Sequence, residues 1–366
     1  MPVETHPRRR AAKGVVAILA LGLAAATACG SPSAGSGAGG GGTTVRLQNY
    51  AGGSTYLAYL TKQLGFFEHE GLDVEIVDVS TGPQAANALL SGSLDAALLN
   101  PFLVEPLLSQ GQKLELISGQ KGPYPSLVGS KELTQTGWPR SLEQLKGKSI
   151  GVLALGGADQ TMCEIALRGA GVDKRDVTFV ATGSGQGTGA ALSTGNVDAG
   201  CVSDVPTASL SAEGFPVLFD FVNPKDPVEE YPEEVRAVTG DFSYLQYWSR
   251  SEWAQKNPQK VDGLRRAFAK TVAWMRDPAH GDELVSIMSA SPYHVETLAD
   301  STFADFVKRS VTLYHVRFSD DSARTWMHIM GDIRDTPMPP TSEWVDESTP
   351  ATQAEVDELL TAAPGN

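Results

Sequence analysis

Three cysteines in 366 residues are too few for a disulfide framework. The six histidines are scattered: His6, His69, His280, His294, His315 and His328. Without histidines clustered near the cysteines there is no zinc set, and no metal or cofactor is expected. Neither G-x-S-x-G nor H-E-x-x-H occurs, which excludes the nucleophile elbow and the metalloprotease helix. The glycine-rich run Gly183 to Gly189 lacks the lysine of a phosphate loop. The uncharged apolar stretch Gly14 to Ala28 is too short to span a bilayer. Positive charge is scarce as well: 29 basic residues stand against 43 acidic ones, a net charge of −14. Setting aside Arg8, Arg9, Arg10, Lys13 and Glu4 of the N-terminal segment leaves 25 against 42. Nucleic acid needs a basic face and is excluded as a partner. The acidity reads as solubility.

What is present begins with a leader. Arg8, Arg9, Arg10 and Lys13 precede the apolar stretch, which has the length of a signal-peptide core. Ala26-Thr27-Ala28-Cys29 resembles a bacterial lipobox. That resemblance implies a signal peptide over residues 1–28 and a diacylglyceryl group on Cys29. The paired arginines also permit twin-arginine export. Glycine, serine and alanine then dominate to about Thr44, and such a segment cannot bury enough apolar surface to order itself. As a coil of about 15 residues it spans roughly 20 Å, so residues 29–44 read as a tether. The folded part is expected outside the cytoplasm, lipid-anchored to the cell membrane. Cys163 and Cys201 remain. In an oxidising compartment they could pair, or they could be separate buried apolar side chains, and the sequence leaves both open.

The remaining chain is long enough for two domains, and it repeats itself. "ALLSGSLDAALLNPFLVEPLLSQG" from Ala88 to Gly111 aligns without gaps on "ALSTGNVDAGCVSDVPTASLSAEG" from Ala191 to Gly214, at a constant offset of 103. Upstream, "GLDVEIVDVSTG" pairs with "GVDKRDVTFVATG", and Gly52-Gly53 with Gly156-Gly157. Each copy reads as strand, glycine pair, helix, strand, Thr-Gly turn, helix, strand. Strands alternating with helices predict a parallel sheet per copy, built through right-handed crossovers. Ligands of such sheets bind at the carboxyl ends of the strands, so two facing copies predict a cleft.

Beyond Gly240 the character changes. Phe242 to Trp248 reads as a return crossing, and the outward crossing is expected near Pro123 to Val128. Asn257 reads as a helix N-cap with Pro258 in the first helical position. Val261, Leu264, Phe268, Val272 and Met275 mark one apolar helix face. The expected division is residues 45–125 in the first lobe, 126–240 in the second, and 241–366 returning to complete the first. Two crossings make a hinge.

"LGFFEHEGLDVEIVDVSTGPQAANALLSGSLDAAL" and "LEQLKGKSIGVLALGGADQTMCEIALRGAGVDKRDVTFVATGSGQGTGAALSTGNVDAG" resemble the nitrate/sulfonate/taurine group of ABC-transporter substrate-binding proteins, which includes binders of the thiamine pyrimidine precursor. The likeness runs from about Val45 to Pro278. It implies an α/β, two-lobed periplasmic-binding type II fold, each lobe a mainly parallel sheet flanked by helices, and capture of a small-molecule solute for a membrane permease by a monomer. It also implies a pocket. In the first lobe this takes in Asn49, Tyr50, Gly52, Gly53, Ser54 and Thr55, then Thr81 and Gly82, then Asn100. In the second it takes in Gly156, Gly157, Ala158 and Asp159, then Thr182 and Gly183, then Asp204. The physics agrees, because glycines admit a ligand to the backbone and helix N-termini offer free N–H groups.

The likeness breaks at Ala158 and Asp159, where family members often carry Ser or Thr. No lysine or arginine lies in any of these loops. Asp159 and Asp204 serve helix starts, or else repel an anion and favour amine or ring N–H donors. Tyr50, Tyr56, Tyr124 and Trp248 are candidates to stack on a planar ligand. Two ligand classes stay open: a sulfonate-, nitrate- or taurine-like anion, and a pyrimidine-like heteroaromatic. The rival reading is an exported or repurposed enzyme on the same fold acting on a small carboxylate or pyrimidine. Export and the lack of an evident acid–base pair favour a binder, not an enzyme.

Overall fold

The computed structural model describes residues 44–362, apart from 51–54, 121, 123–124, 240–241, 297, 320–321, 324, 327–328 and 330–338. The signal segment, Cys29 and nearly all of the tether lie outside the described residues, as do Gly52, Gly53, Ser54 and Tyr124.

Among the described residues, ten strands form two separate five-stranded sheets. The first contains β1 (Thr44–Asn49), β2 (Asp73–Asp78), β3 (Ala96–Leu99), β4 (Leu114–Gln120) and the late β10 (Leu245–Arg250), in the order β2-β1-β3-β10-β4. The second contains β5 (Ser126–Gly129), β6 (Ser149–Val152), β7 (Thr178–Ala181), β8 (Ala199–Val202) and β9 (Val217–Asp220), in the order β7-β6-β8-β5-β9. Position by position the two orders are the same. In each, four strands run in one direction, and the strand that follows a crossing lies antiparallel between two of them. The sheets are therefore mixed but mainly parallel, as expected, with one reversed strand in each. The incoming strand starts at the end of the sheet where the crossing arrives, so it must run the other way.

The first lobe carries α1 (Leu57–Gln63), α2 (Phe66–His69), α3 (Gly82–Ser91) and α4 (Pro101–Ser109). The second carries α5 (Arg140–Glu143), α6 (Ala158–Gly169), α7 (Gly185–Ser193), α8 (Asp204–Ala212) and α9 (Glu233–Ala237). After β10 come α10 (Ser251–Lys256), α11 (Pro258–Arg276), α12 (Gly281–Ser289) and α13 (Asp300–Ser310).

The offset of 103 is physical. It carries the start of α3 onto that of α7, and both ends of β3 and α4 onto β8 and α8. Gly92 and Gly195 end the first helix of each matched pair at φ +81° and +72°, a conformation that side chains with a Cβ resist. Asp95 then enters β3, accepting at 2.9 Å from the Arg46 backbone N–H and at 2.8 Å and 3.1 Å from its guanidinium. Asp198 accepts at 2.9 Å from the Ser149 N–H, at 2.8 Å from its hydroxyl and at 3.2 Å from Lys148 Nζ.

β3 is buried along its whole length, as a central strand covered on both faces should be. The α11 face is buried at all five expected positions and packs on α1, α2 and β4. Asn257 stands at the start of α11 but does not cap it, because its Nδ2 donates to the Trp253 carbonyl at 2.8 Å. On the same helix the buried Arg265 donates to the Ile117 and Leu116 carbonyls at 2.9 and 3.1 Å and to Thr349 Oγ1 at 2.8 Å, tying the C-terminal segment to β4. Trp248, Trp326 and Trp344 form a buried cluster with ring centres 5.6–6.0 Å apart. Cys163 on α6 and Cys201 on β8 are joined as a disulfide with Cα atoms 6.4 Å apart, which decides between the two possibilities the sequence leaves open.

Candidate functional site

A cavity of about 430 Å³ is lined by residues of both lobes, a size suited to a small molecule. The elements that reach it are strand ends and helix starts. From the first lobe come Tyr50 and Thr55 after β1, Ser80, Gly82 and Pro83 around the start of α3, and Asn100 and Leu103 at the start of α4. From the second come Leu153, Ala154 and Gly157 to Asp159 around the start of α6, Ser184 to Gln186 at α7, and Cys201 with Ser203 to Pro206 at α8. Pro125, Tyr244 and Leu245 belong to the crossings, and Pro292 comes from the C-terminal segment.

Local chemistry explains each position. Asn100 caps α4 by accepting from the Leu103 N–H at 3.2 Å, and Ser184 caps α7 by accepting from the Gly187 N–H at 2.9 Å. Asp204 Oδ1 accepts from the Val205 N–H at 2.9 Å in the first turn of α8. Asp159, in the first turn of α6, accepts from the Leu153 N–H at 2.6 Å and so pins the loop after β6. A Cβ on Gly157 would lie 2.7 Å from Asp159 Oδ1 and 2.9 Å from the Ala154 carbonyl, so any other residue must displace that carboxylate or the loop. Thr55 Oγ1 donates to the Tyr50 carbonyl at 2.9 Å, and Tyr50 OH donates to the Leu98 carbonyl at 3.0 Å.

Burial raises the Asp159 carboxyl from 3.8 to about 6 against the opposing effect of its backbone donors. Burial also pushes up the phenols of Tyr50 and Tyr244, the latter helped by the charges of Asp159 and Tyr50. Among the described residues no lysine or arginine lines the cavity, and no group of three or more His, Cys, Asp or Glu is placed to hold a metal.

Of the residues expected here, Tyr50, Thr55, Gly82, Asn100, Gly157, Ala158, Asp159 and Asp204 line the cavity. Gly52, Gly53 and Ser54 fall outside the described residues. Asn49 does not line it: the side chain is fully buried and donates to the Tyr50 carbonyl and to Tyr293 OH. Thr81 is the N-cap position of α3, while Gly156 and Gly183 are exposed and do not line the cavity. Thr182 turns its hydroxyl to the Val152 carbonyl at 2.8 Å, joining β7 to β6. Trp248 is corrected. It is fully buried in the tryptophan cluster of the first lobe, because β10 is covered on both faces: Trp248 packs on Trp326 and Trp344 of the C-terminal segment while the adjacent Tyr247 stacks on Phe268 of α11. Tyr56 is likewise buried, its OH within 2.6 Å of Ser310 Oγ. Tyr244, Leu245 and Pro292 were missed. The return crossing carried a signal for the first two, but nothing in the sequence marks Pro292.

Two lobes of identical strand order around a cavity define a binding-protein architecture. The family model described as "NMT1/THI5 like" matches residues 55–280, and the chain belongs to this family. YtlA of Bacillus subtilis (strain 168), which carries a binding-protein designation, is 23% identical over 275 residues, covering 71% of this chain and 72% of its own. A solved structure from Bordetella bronchiseptica RB50 superposes with a TM-score of 0.68 at 22% identity, over 87% of this chain and 97% of that one. The periplasmic aliphatic sulphonate-binding protein SsuA of Escherichia coli superposes at 0.59 with 17% identity, over 80% and 94%. The fold is that of periplasmic binding proteins.

Proposed function

We propose that this chain is the solute-binding subunit of an ABC importer. It works outside the cytoplasm and passes a small solute, chemically unaltered, to a membrane permease. The observation that carries this reading is the cavity, walled by strand ends and helix starts of both lobes with the crossings at its edge. The names of its relatives, a binding protein and a sulphonate-binding protein, support the same reading. Solute bound to one lobe gains contacts with the other on closure, and that difference in affinity shifts the open–closed equilibrium. A lipid on Cys29, in Ala26-Thr27-Ala28-Cys29, would hold the protein at the membrane, and the protein would act as a monomer.

A thermal-shift screen of nitrate, bicarbonate, alkanesulfonates, amines and pyrimidines tests solute capture, since a bound ligand raises stability by mass action. A hit should return from the denatured protein unchanged, and recovery of a converted product would favour an enzyme. Cys29→Ala should move the protein from membranes to the medium. Retention on membranes would defeat the anchor.

A further inference from the structure

The charge of the cavity wall narrows the solute, if the chain is a solute-binding protein at all. Both carboxylates that reach the cavity come from the second lobe, at the starts of α6 and α8. They act across it. Burial raises the phenols of Tyr244, Tyr56 and Tyr314, and the Asp159 charge adds to it at Tyr244 and the Asp204 charge at Tyr56 and Tyr314 in the first lobe. No basic side chain offsets Asp159: it forms no ion pair among the described residues, and nothing cationic acts on its titration.

Helix starts are the usual alternative means of holding an anion. Here they are largely occupied. The starts of α6 and α8 carry their own carboxylates, and those of α4 and α7 are capped by Asn100 and Ser184. Among the described starts of α3, α4, α6, α7 and α8, that of α3 alone has neither a capping side chain nor a first-turn carboxylate. An anion would therefore meet two negative charges, no positive side chain and one open helix start. A cation would meet two carboxylates and the phenol rings of Tyr50 and Tyr244, whose faces attract positive charge.

We infer that the cleft takes a small organic cation, of the protonated amine or amidine kind, with Asp159 and Asp204 as its counter-charges and Tyr50 and Tyr244 beside it. The class differs from that of the sulphonate-binding relative.

A matched set of probes tests this on the whole protein: benzamidine as cation, benzamide as neutral isostere and benzoate as anion, with agmatine and methanesulfonate as a second pair. The expected result is a thermal upshift of about 2 °C or more with benzamidine or agmatine at millimolar concentration, and none with benzoate or methanesulfonate. Asp159→Asn and Asp204→Asn should each weaken cation binding at least about tenfold by calorimetry. Stabilisation by an anion, undiminished or enhanced in Asp159→Asn, overturns the cation assignment and leaves solute capture standing. A response to no cation probe overturns the assignment too. If the wider solute screen is also silent, solute capture falls with it. Should a variant fail to fold, the charge preference of the unaltered protein still decides.

Discussion

Asp95 and Asp198, 103 positions apart, do the same thing. Each accepts at 2.9 Å from the backbone N–H of the residue 49 positions before it, Arg46 or Ser149, and so locks β3 to β1 in the first lobe and β8 to β6 in the second. Their surroundings differ: the Asp95 side chain is 7% exposed and the Asp198 side chain 37%. Asp95→Ala should cost about 2–4 kcal/mol, because a buried N–H and an arginine lose their acceptor together. Asp198→Ala should cost roughly 1–2 kcal/mol, since water can replace the lost oxygen. Urea titration of both variants checks this. Equal losses would remove the link between burial and cost.

Asp159 makes the apo protein less stable at neutral pH. Its carboxyl titrates near 6 in the fold against an ordinary 3.8. Between those values the folded chain holds a proton that the unfolded chain has released, so stability falls as pH rises through the window. The limit for about two units is roughly 3 kcal/mol, and water reaching the partly exposed side chain reduces it to roughly 1–2. Asp159→Asn keeps an oxygen for the Leu153 N–H. It should be the more stable protein at neutral pH, and the gain should vanish below about pH 4. Calorimetry across that range would show no crossover if the carboxyl were ordinary.

The bridge between Cys163 and Cys201 spans 38 positions. Replacing both cysteines by serine should lower stability by roughly 2–4 kcal/mol. Reductant should do the same to the parent and nothing to the variant. Non-reducing peptide mapping that recovers the two cysteines unlinked would contradict the structure.

Gly157→Val places a side chain against Asp159 Oδ1 and the Ala154 carbonyl. The surrounding loop can move at a cost of about 1–3 kcal/mol, so the variant should stay folded by circular dichroism. Whichever solute stabilises the parent should stabilise it no longer. An unchanged response would separate this loop from the binding site.

The architecture was legible because it is written twice. Glycine-bounded strands and helices recur at one spacing, and the α11 face shows a clean helical period. The cavity was legible as far as topology reaches, since strand ends and helix starts converge there whatever their side chains. Orientation was not. Tyr247 and Trp248 are adjacent, both buried and both aromatic, so alternation along β10 carries no sign of which face meets the cavity. The pairing of Cys163 with Cys201 depends on how α6 lies on β8, and Pro292 arrives from a segment remote in sequence. Neither leaves a local trace.

The place of β10 has a consequence for how the chain is made. β3 and β4 are synthesised early, yet they do not pair, because the slot between them belongs to a strand more than 120 residues later. That slot is about two strand spacings wide, roughly 10 Å. Until residue 250 has emerged, the first sheet exists as two unjoined pieces with raw edges. The second, drawn entirely from residues 126–220, can already be whole. The half begun first is thus the half finished last, and a chain cut short before Leu245 would carry one completed lobe and one permanently open.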